Sequence, residues 1–122
     1  MSSKTEHLAQ AEHNHNFWNS LPVDSTPYRD WVVTGIFYEG VHWVEAFLST
    51  RGEHSDDHRD RLHAMQRNSW VIGTEITEDL ETLKQESENA RYRCYKHTAD
   101  EISNELVPIA DGIKKRVLAT FV

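Results

Sequence analysis

Cysteine, glycine and proline are all scarce in this chain: its 122 residues include one Cys, five Gly and three Pro. A lone Cys94 closes no internal disulfide and supplies no cysteine-rich zinc site, as suits a reducing compartment. So little Gly and Pro argues against fibrous or linker-type sequence, and 38% hydrophobic with 27% charged residues argues against disorder. No apolar run reaches the length that crosses a bilayer, and Met1-Ser2-Ser3-Lys4-Thr5-Glu6 lacks the apolar stretch of a signal peptide. The expectation is a cytoplasmic protein with no membrane partner. Cations are short too, with 13 Lys and Arg against 20 Asp and Glu and a formal charge of −7. Broad, non-specific polyanion binding draws its energy from neutralising many phosphates at once, so this balance excludes it. A short nucleic-acid element, a nucleotide or another protein remains as partner.

Alternating strand patterns bounded by hairpin turns are also missing, whereas helical periodicity runs along the chain. The length supports one core, so residues 1–122 are expected to form a single all-α domain. The pattern predicts an up-and-down four-helix bundle over about 27–119, with an accessory helix over about 5–20. Leu21-Pro22 ends that first helix, and Thr26 as N-cap with Pro27 in the first turn is expected to start the second.

Helix two, over 28–50, is apolar around much of its circumference and should be the most buried. Its Gly35 and Gly40 lower helix propensity and let another helix or a partner subunit approach. Ser55 reads as the N-cap of a third helix reaching about 69, and Trp70-Val71-Ile72-Gly73 as an apolar corner. A fourth helix starts at Thr74 or Thr77 with Ile76, Leu80, Leu83, Ser87 and Ala90 inward. Thr98-Ala99-Asp100-Glu101 reads as the capping box of a fifth, carrying Ile102, Leu106, Ile109, Ile113 and Val117 inward, with a kink or break at Pro108.

The sharpest local feature is a reversal of charge. From Glu75 to Glu88 six carboxylates face one Lys84, and then Arg91, Arg93, Lys96 and His97 follow. Arginine's planar fork suits phosphate, Tyr92 offers a ring on which a base can stack, and histidine moves protons near neutral pH. The competing reading places these cations at a helix C-terminus, where they interact with the dipole. His42 and Glu45 interrupt helix two on one face with Tyr38. Buried polar groups need partners, so Glu45 or His42 is expected to contact Arg91, as an ion pair or as the inner wall of a pocket. His54, Asp57 and His58 supply three candidate metal ligands but no fourth, and no metal or other cofactor is expected. Cys94 lies three residues from His97, yet reads better as a small packed side chain than as a nucleophile.

Three stretches together resemble the HEPN superfamily of small helical bundles, which includes toxin ribonucleases and nucleotide-handling modules. They are Phe37-Tyr38-Glu39-Gly40-Val41-His42-Trp43-Val44-Glu45-Ala46-Phe47-Leu48, then Gly52-Glu53-His54-Ser55-Asp56-Asp57-His58-Arg59-Asp60-Arg61, and the run from Ser87 to Tyr92. With the matching helix order they span roughly 14–118. Active members carry an arginine followed after four to six residues by a histidine, and Arg91 and His97 fit with five between. On an unbroken helix residues six apart lie about 240° around the axis, so a break before Thr98 is what lets the two converge. Where the most similar branch has a second arginine this chain has Glu88, a change that weakens phosphate binding there. The resemblance implies a nucleic-acid- or nucleotide-binding module, with metal-independent endoribonuclease activity of toxin–antitoxin or defence type as its active form. In that reading Arg91 and His97 are catalytic, and Tyr92, Arg93, Lys96, Glu45 and His42 bind substrate. It also implies a homodimer, RNA or a nucleotide as ligand, and a nucleotidyltransferase or antitoxin partner. The alternative is a non-catalytic dimeric interaction protein of the same fold, followed by a metal-binding bundle.

Overall fold

The computed structural model describes residues 2–122 and is helical throughout, with no strand among the described residues. Helix α1 (Lys4–Asn19) begins in a capping box, in which Glu6 N donates to Ser3 Oγ at 3.1 Å and Ser3 N to Glu6 Oε1 at 2.9 Å. Helix α2 (Arg29–Thr50) is buried on nearly every side and forms the axis of the fold. It starts later than expected. The Thr26 hydroxyl accepts from Tyr28 N at 3.1 Å, closing a tight turn, so Tyr28 becomes an N-cap without a side-chain cap.

The first helix is not accessory. It lies antiparallel along α2, with His7 beside His42 at one end and Trp18 against Gly35 at the other. A Cβ at Gly35 would fall 2.9 Å from the Trp18 Cβ, and one at Gly40 3.3 Å from both Leu80 and Leu83. The two glycines therefore admit two different helices of the same chain, α1 and the helix over Thr74–Tyr92.

Helix α3 (His58–Arg67) is capped by Asp57, whose carboxylate accepts from Asp60 N at 2.8 Å. Ser55 was the expected cap, but its hydroxyl is turned inward and has no partner. The apolar corner is a single turn, α4 (Ser69–Ile72), stopped by Gly73 at φ 97°, a conformation that glycine adopts without strain. Helix α5 (Thr74–Tyr92) follows at once and buries Ile76, Leu80, Leu83, Ser87 and Ala90, the stripe read from the sequence.

At the far end of α5 the chain reverses through Cys94, at φ 56°. Thr98 and Glu101 then form the expected capping box of α6 (Ala99–Glu101). This helix widens into a π turn (Ile102–Leu106) and continues as α7 (Val107–Ala119). Pro108 has no N–H for the carbonyl four residues back, and the chain accommodates this by widening rather than by breaking. The extra residue shifts the register. Ala110 takes the buried position expected of Ile109, which is only half-buried, while Ile102, Leu106, Ile113 and Val117 point inward as expected. The four long elements are thus α1, α2, α5 and α6 with α7, and the short pair α3 and α4 is the added piece. Among the described residues no helix is long and apolar enough to cross a membrane.

Candidate functional site

The polar positions of α2 meet α1 on one side and the segment leading into α3 on the other. Between them lies a cavity of about 550 Å³, lined among others by His7, Tyr38, His42, Glu45, His54 and Arg61. Glu45 finds a cation, but it is Arg61 and not Arg91: Arg61 Nε donates to Glu45 Oε1 at 2.7 Å, with side chains 11% and 8% exposed. Arg61 Nη1 also donates to His58 Nδ1 at 2.6 Å. That bond requires a bare Nδ1, so His58 is a neutral ring with its proton on Nε2. Burial lowers the His58 pKa, and the Arg61 charge lowers it further.

His42 meets His7 rather than Arg91, the two Nδ1 atoms lying 3.1 Å apart. Burial, and then the neighbouring His7, push the His42 pKa down to about 4. His7 moves the same way, burial outweighing the opposing pull of Glu45. At neutral pH the pair is therefore uncharged, one ring donating through Nδ1 and the other accepting. Among the described residues neither Nε2 has a protein partner, and neither is a sealed orphan atom, so both reach solvent. The Ser55 hydroxyl, also in the lining, is buried and unpaired.

Arg91 lies next to this cavity, sharing Tyr38 with it. Its guanidinium sits 5.8 Å from the centre of the Tyr38 ring and 4.8 Å from that of Tyr92, which is 71% exposed. Ser87 holds the stem of the group: Arg91 Nε donates to Ser87 O at 3.2 Å and Nη2 to Ser87 Oγ at 3.1 Å. Arg93 donates to Asn89 Oδ1 at 3.2 Å.

His97 faces elsewhere. Its ring is buried, Nε2 lies 2.9 Å from Glu86 Oε1, and Tyr95 packs edge-on at 4.6 Å. No hydrogen bond or ring contact joins it to Arg91. The reason is local: α5 stays helical through Tyr92, which leaves Arg91 on the Tyr38 side, and the turn at Cys94 then swings His97 back onto α5 at Glu86. The structure thus brings Arg91, Tyr92, His42 and Glu45 to one region, and Lys96 with His97 to another.

His54, Asp57 and His58 do not assemble into a ligand set, since Asp57 caps α3 and His58 accepts from Arg61. Among the described residues no three His, Cys, Asp or Glu side chains are grouped to hold a metal ion. The sequence reading missed His7 and Arg61. A buried Glu45 demands a cation, and Arg61 in the His58-Arg59-Asp60-Arg61 run was a candidate; nothing local announces His7, which arrives through the antiparallel pairing of α1 with α2. In comparisons with family models, with curated proteins and with solved structures, nothing matches the chain.

Proposed function

We propose that the protein is a HEPN-like nucleotide- or nucleic-acid-binding module whose ligand occupies the histidine-lined cavity and rests on the Arg91 and Tyr92 shelf beside it. The observation that carries this reading is the junction at Tyr38. One ring edges a cavity with two uncharged, solvent-open imidazoles and also carries an arginine whose other neighbour is an exposed tyrosine. Bases of single-stranded RNA stack on aromatic rings and on guanidinium planes, and neutral imidazoles and a serine hydroxyl can meet base edges or ribose hydroxyls. The ligand is short, because only a few cations are gathered here and the chain as a whole is acidic.

Fluorescence anisotropy with a labelled single-stranded RNA of a few nucleotides, in the presence of a chelator, tests the proposal. Arg91→Ala and His42→Gln are each expected to weaken binding about tenfold, in line with ~1.4 kcal/mol for a lost stacking or hydrogen-bonding partner. Lys115→Ala, on the exposed far side of α7, leaves it unchanged. Equal affinity in all four proteins rejects the site.

A non-catalytic form of the same module has its own support, because His97 is held by Glu86 and not by a group shared with Arg91. Incubating the RNA with the protein and chelator decides between the two forms. Products abolished by Arg91→Ala establish the ribonuclease, and intact RNA under saturating binding establishes the interaction protein. The homodimer expected from the resemblance is proposed to use Phe17, Tyr28 and Trp31, large rings left exposed near the start of α2.

A further inference from the structure

One wall of the cavity beside Tyr38 is built from metal-ligand side chains, a feature independent of the nucleotide reading. His42 and Glu45 stand three residues apart on α2, neighbours on one face, and His7 is brought against them from α1. Three details go beyond that composition. First, the Nδ1 atoms of His7 and His42 lie 3.1 Å apart. Two imidazoles sharing an ion at about 2.0–2.1 Å have their nitrogens separated by roughly 2.9 Å at a right angle and roughly 3.4 Å at the tetrahedral angle. The observed pair falls between. Second, Glu45 gives only Oε1 to Arg61, at 2.7 Å. Its Oε2 has no hydrogen-bond partner among the described residues and is not a sealed orphan atom, so a side-chain rotation brings it to a third ligand position. Arg61 then holds the carboxylate by its other oxygen, the kind of outer contact that orients ligands in metal sites. Third, both Nε2 atoms reach solvent, so the rings can carry their protons there and leave both Nδ1 lone pairs to an ion. The two imidazoles are in place and the carboxylate is not, which is why no three ligand side chains are grouped among the described residues.

We infer that this wall binds a divalent transition-metal ion through His7 Nδ1, His42 Nδ1 and Glu45 Oε2, with water in the remaining positions. Two imidazoles and one carboxylate are the ligands of one class of zinc site and of the facial triad that holds iron(II), whereas magnesium and calcium take oxygen. In the free pair one ring carries its proton on Nδ1 and the other on Nε2. In the metal-bound pair both carry it on Nε2, so one ring changes tautomer and the ion replaces the shared hydrogen bond. The Arg61 charge opposes the ion and the Glu45 charge favours it, so the affinity depends on how well the carboxylate bridges the two.

The test is isothermal titration of Zn²⁺ into the intact, chelator-treated and desalted chain, with Mg²⁺ as a second titrant in the same buffer. Saturable binding of one zinc per chain is expected, and none of magnesium. His7→Gln and His42→Gln should each weaken zinc by roughly tenfold or more, and Glu45→Gln by about tenfold, since even the loss of an outer partner costs about 10–100-fold. His63→Gln, exposed on α3 and outside the cavity lining, should leave the affinity unchanged. Because a substitution in the cavity wall can also disturb folding, ¹⁵N spectra of the histidine rings in the wild-type chain give an independent reading. Zinc should move the His7 and His42 signals together and leave both rings with the proton on Nε2. The site is rejected if zinc does not saturate, if magnesium binds as well as zinc, or if His63→Gln weakens zinc as much as His42→Gln does. It is also rejected if zinc shifts other histidine rings while His7 and His42 keep their free tautomers. RNA binding is measured with chelator present, so failure of the metal site and failure of the nucleotide reading are seen separately.

Discussion

Acid should begin to destabilise this protein through His42 before it reaches the carboxylates. The ring is half-buried against His7 and titrates at about 4 in the folded chain against an ordinary 6.5. Above pH 6.5 neither folded nor unfolded chain protonates it, so it has no effect on stability there. Between pH 6.5 and 4 the unfolded chain binds the proton and the folded chain does not, so stability falls as pH drops, and below 4 the loss is complete. At pH 5 a fully dry ring would lose about 2 kcal/mol, and screening of a half-exposed group reduces this to about 1 kcal/mol. His7 and His58 are shifted in the same direction and add to the slope. Urea unfolding of the wild type and of His42→Gln at pH 7.5, 6 and 5 measures the effect. The wild type should lose about 1 kcal/mol more than the variant over that range. Parallel curves for the two proteins, or a His42 NMR titration centred near the ordinary value, would refute the argument.

Other perturbations test the fold and its buried pairs. Gly35→Ala should destabilise by about 1–3 kcal/mol, since its Cβ would strike Trp18, whereas Gly112→Ala, in the open on α7, should stabilise by about 0.5–1 kcal/mol, both read by thermal unfolding. Buried Glu39 accepts from the Trp18 and Trp43 indoles at 2.7 and 2.8 Å and from His15 Nδ1 at 2.9 Å. Glu39→Ala strands both indoles and should cost about 3 kcal/mol or more in chemical denaturation, while Glu39→Gln, which keeps one acceptor, should cost less. Glu45→Gln leaves Arg61 short of its counter-charge and should cost about 1–3 kcal/mol, with a loosened Arg61 side chain visible by NMR.

Helix content, the buried stripe of α5 and the capping box at Thr98 were legible because each depends on neighbours within one or two turns. The start of α2 and the cap of α3 were misplaced because the Thr26 hydroxyl closes a turn on Tyr28 N and because Asp57, not Ser55, turns its side chain to the α3 amides, choices that only the folded backbone resolves. Ile109 was placed inward by counting turns of 3.6, and the π turn before Pro108 defeats that count. At the site, Tyr38, His42 and Glu45 were found together because one helix face joins them. Their partners His7 and Arg61 come from α1 and α3, and pairing between helices leaves no periodic trace in the sequence. The Arg91 and His97 spacing suggested a shared cleft, but the direction a chain takes through a turn such as that at Cys94 is not encoded in spacing.

The most direct measurement follows the histidine ring signals of the labelled protein by NMR as a short single-stranded RNA is added. Binding in the cavity beside Tyr38 predicts that the His7 and His42 rings shift together and saturate, and that Arg91→Ala moves the midpoint to higher RNA concentration. Unmoved His7 and His42 signals at concentrations where the RNA is bound would contradict the account.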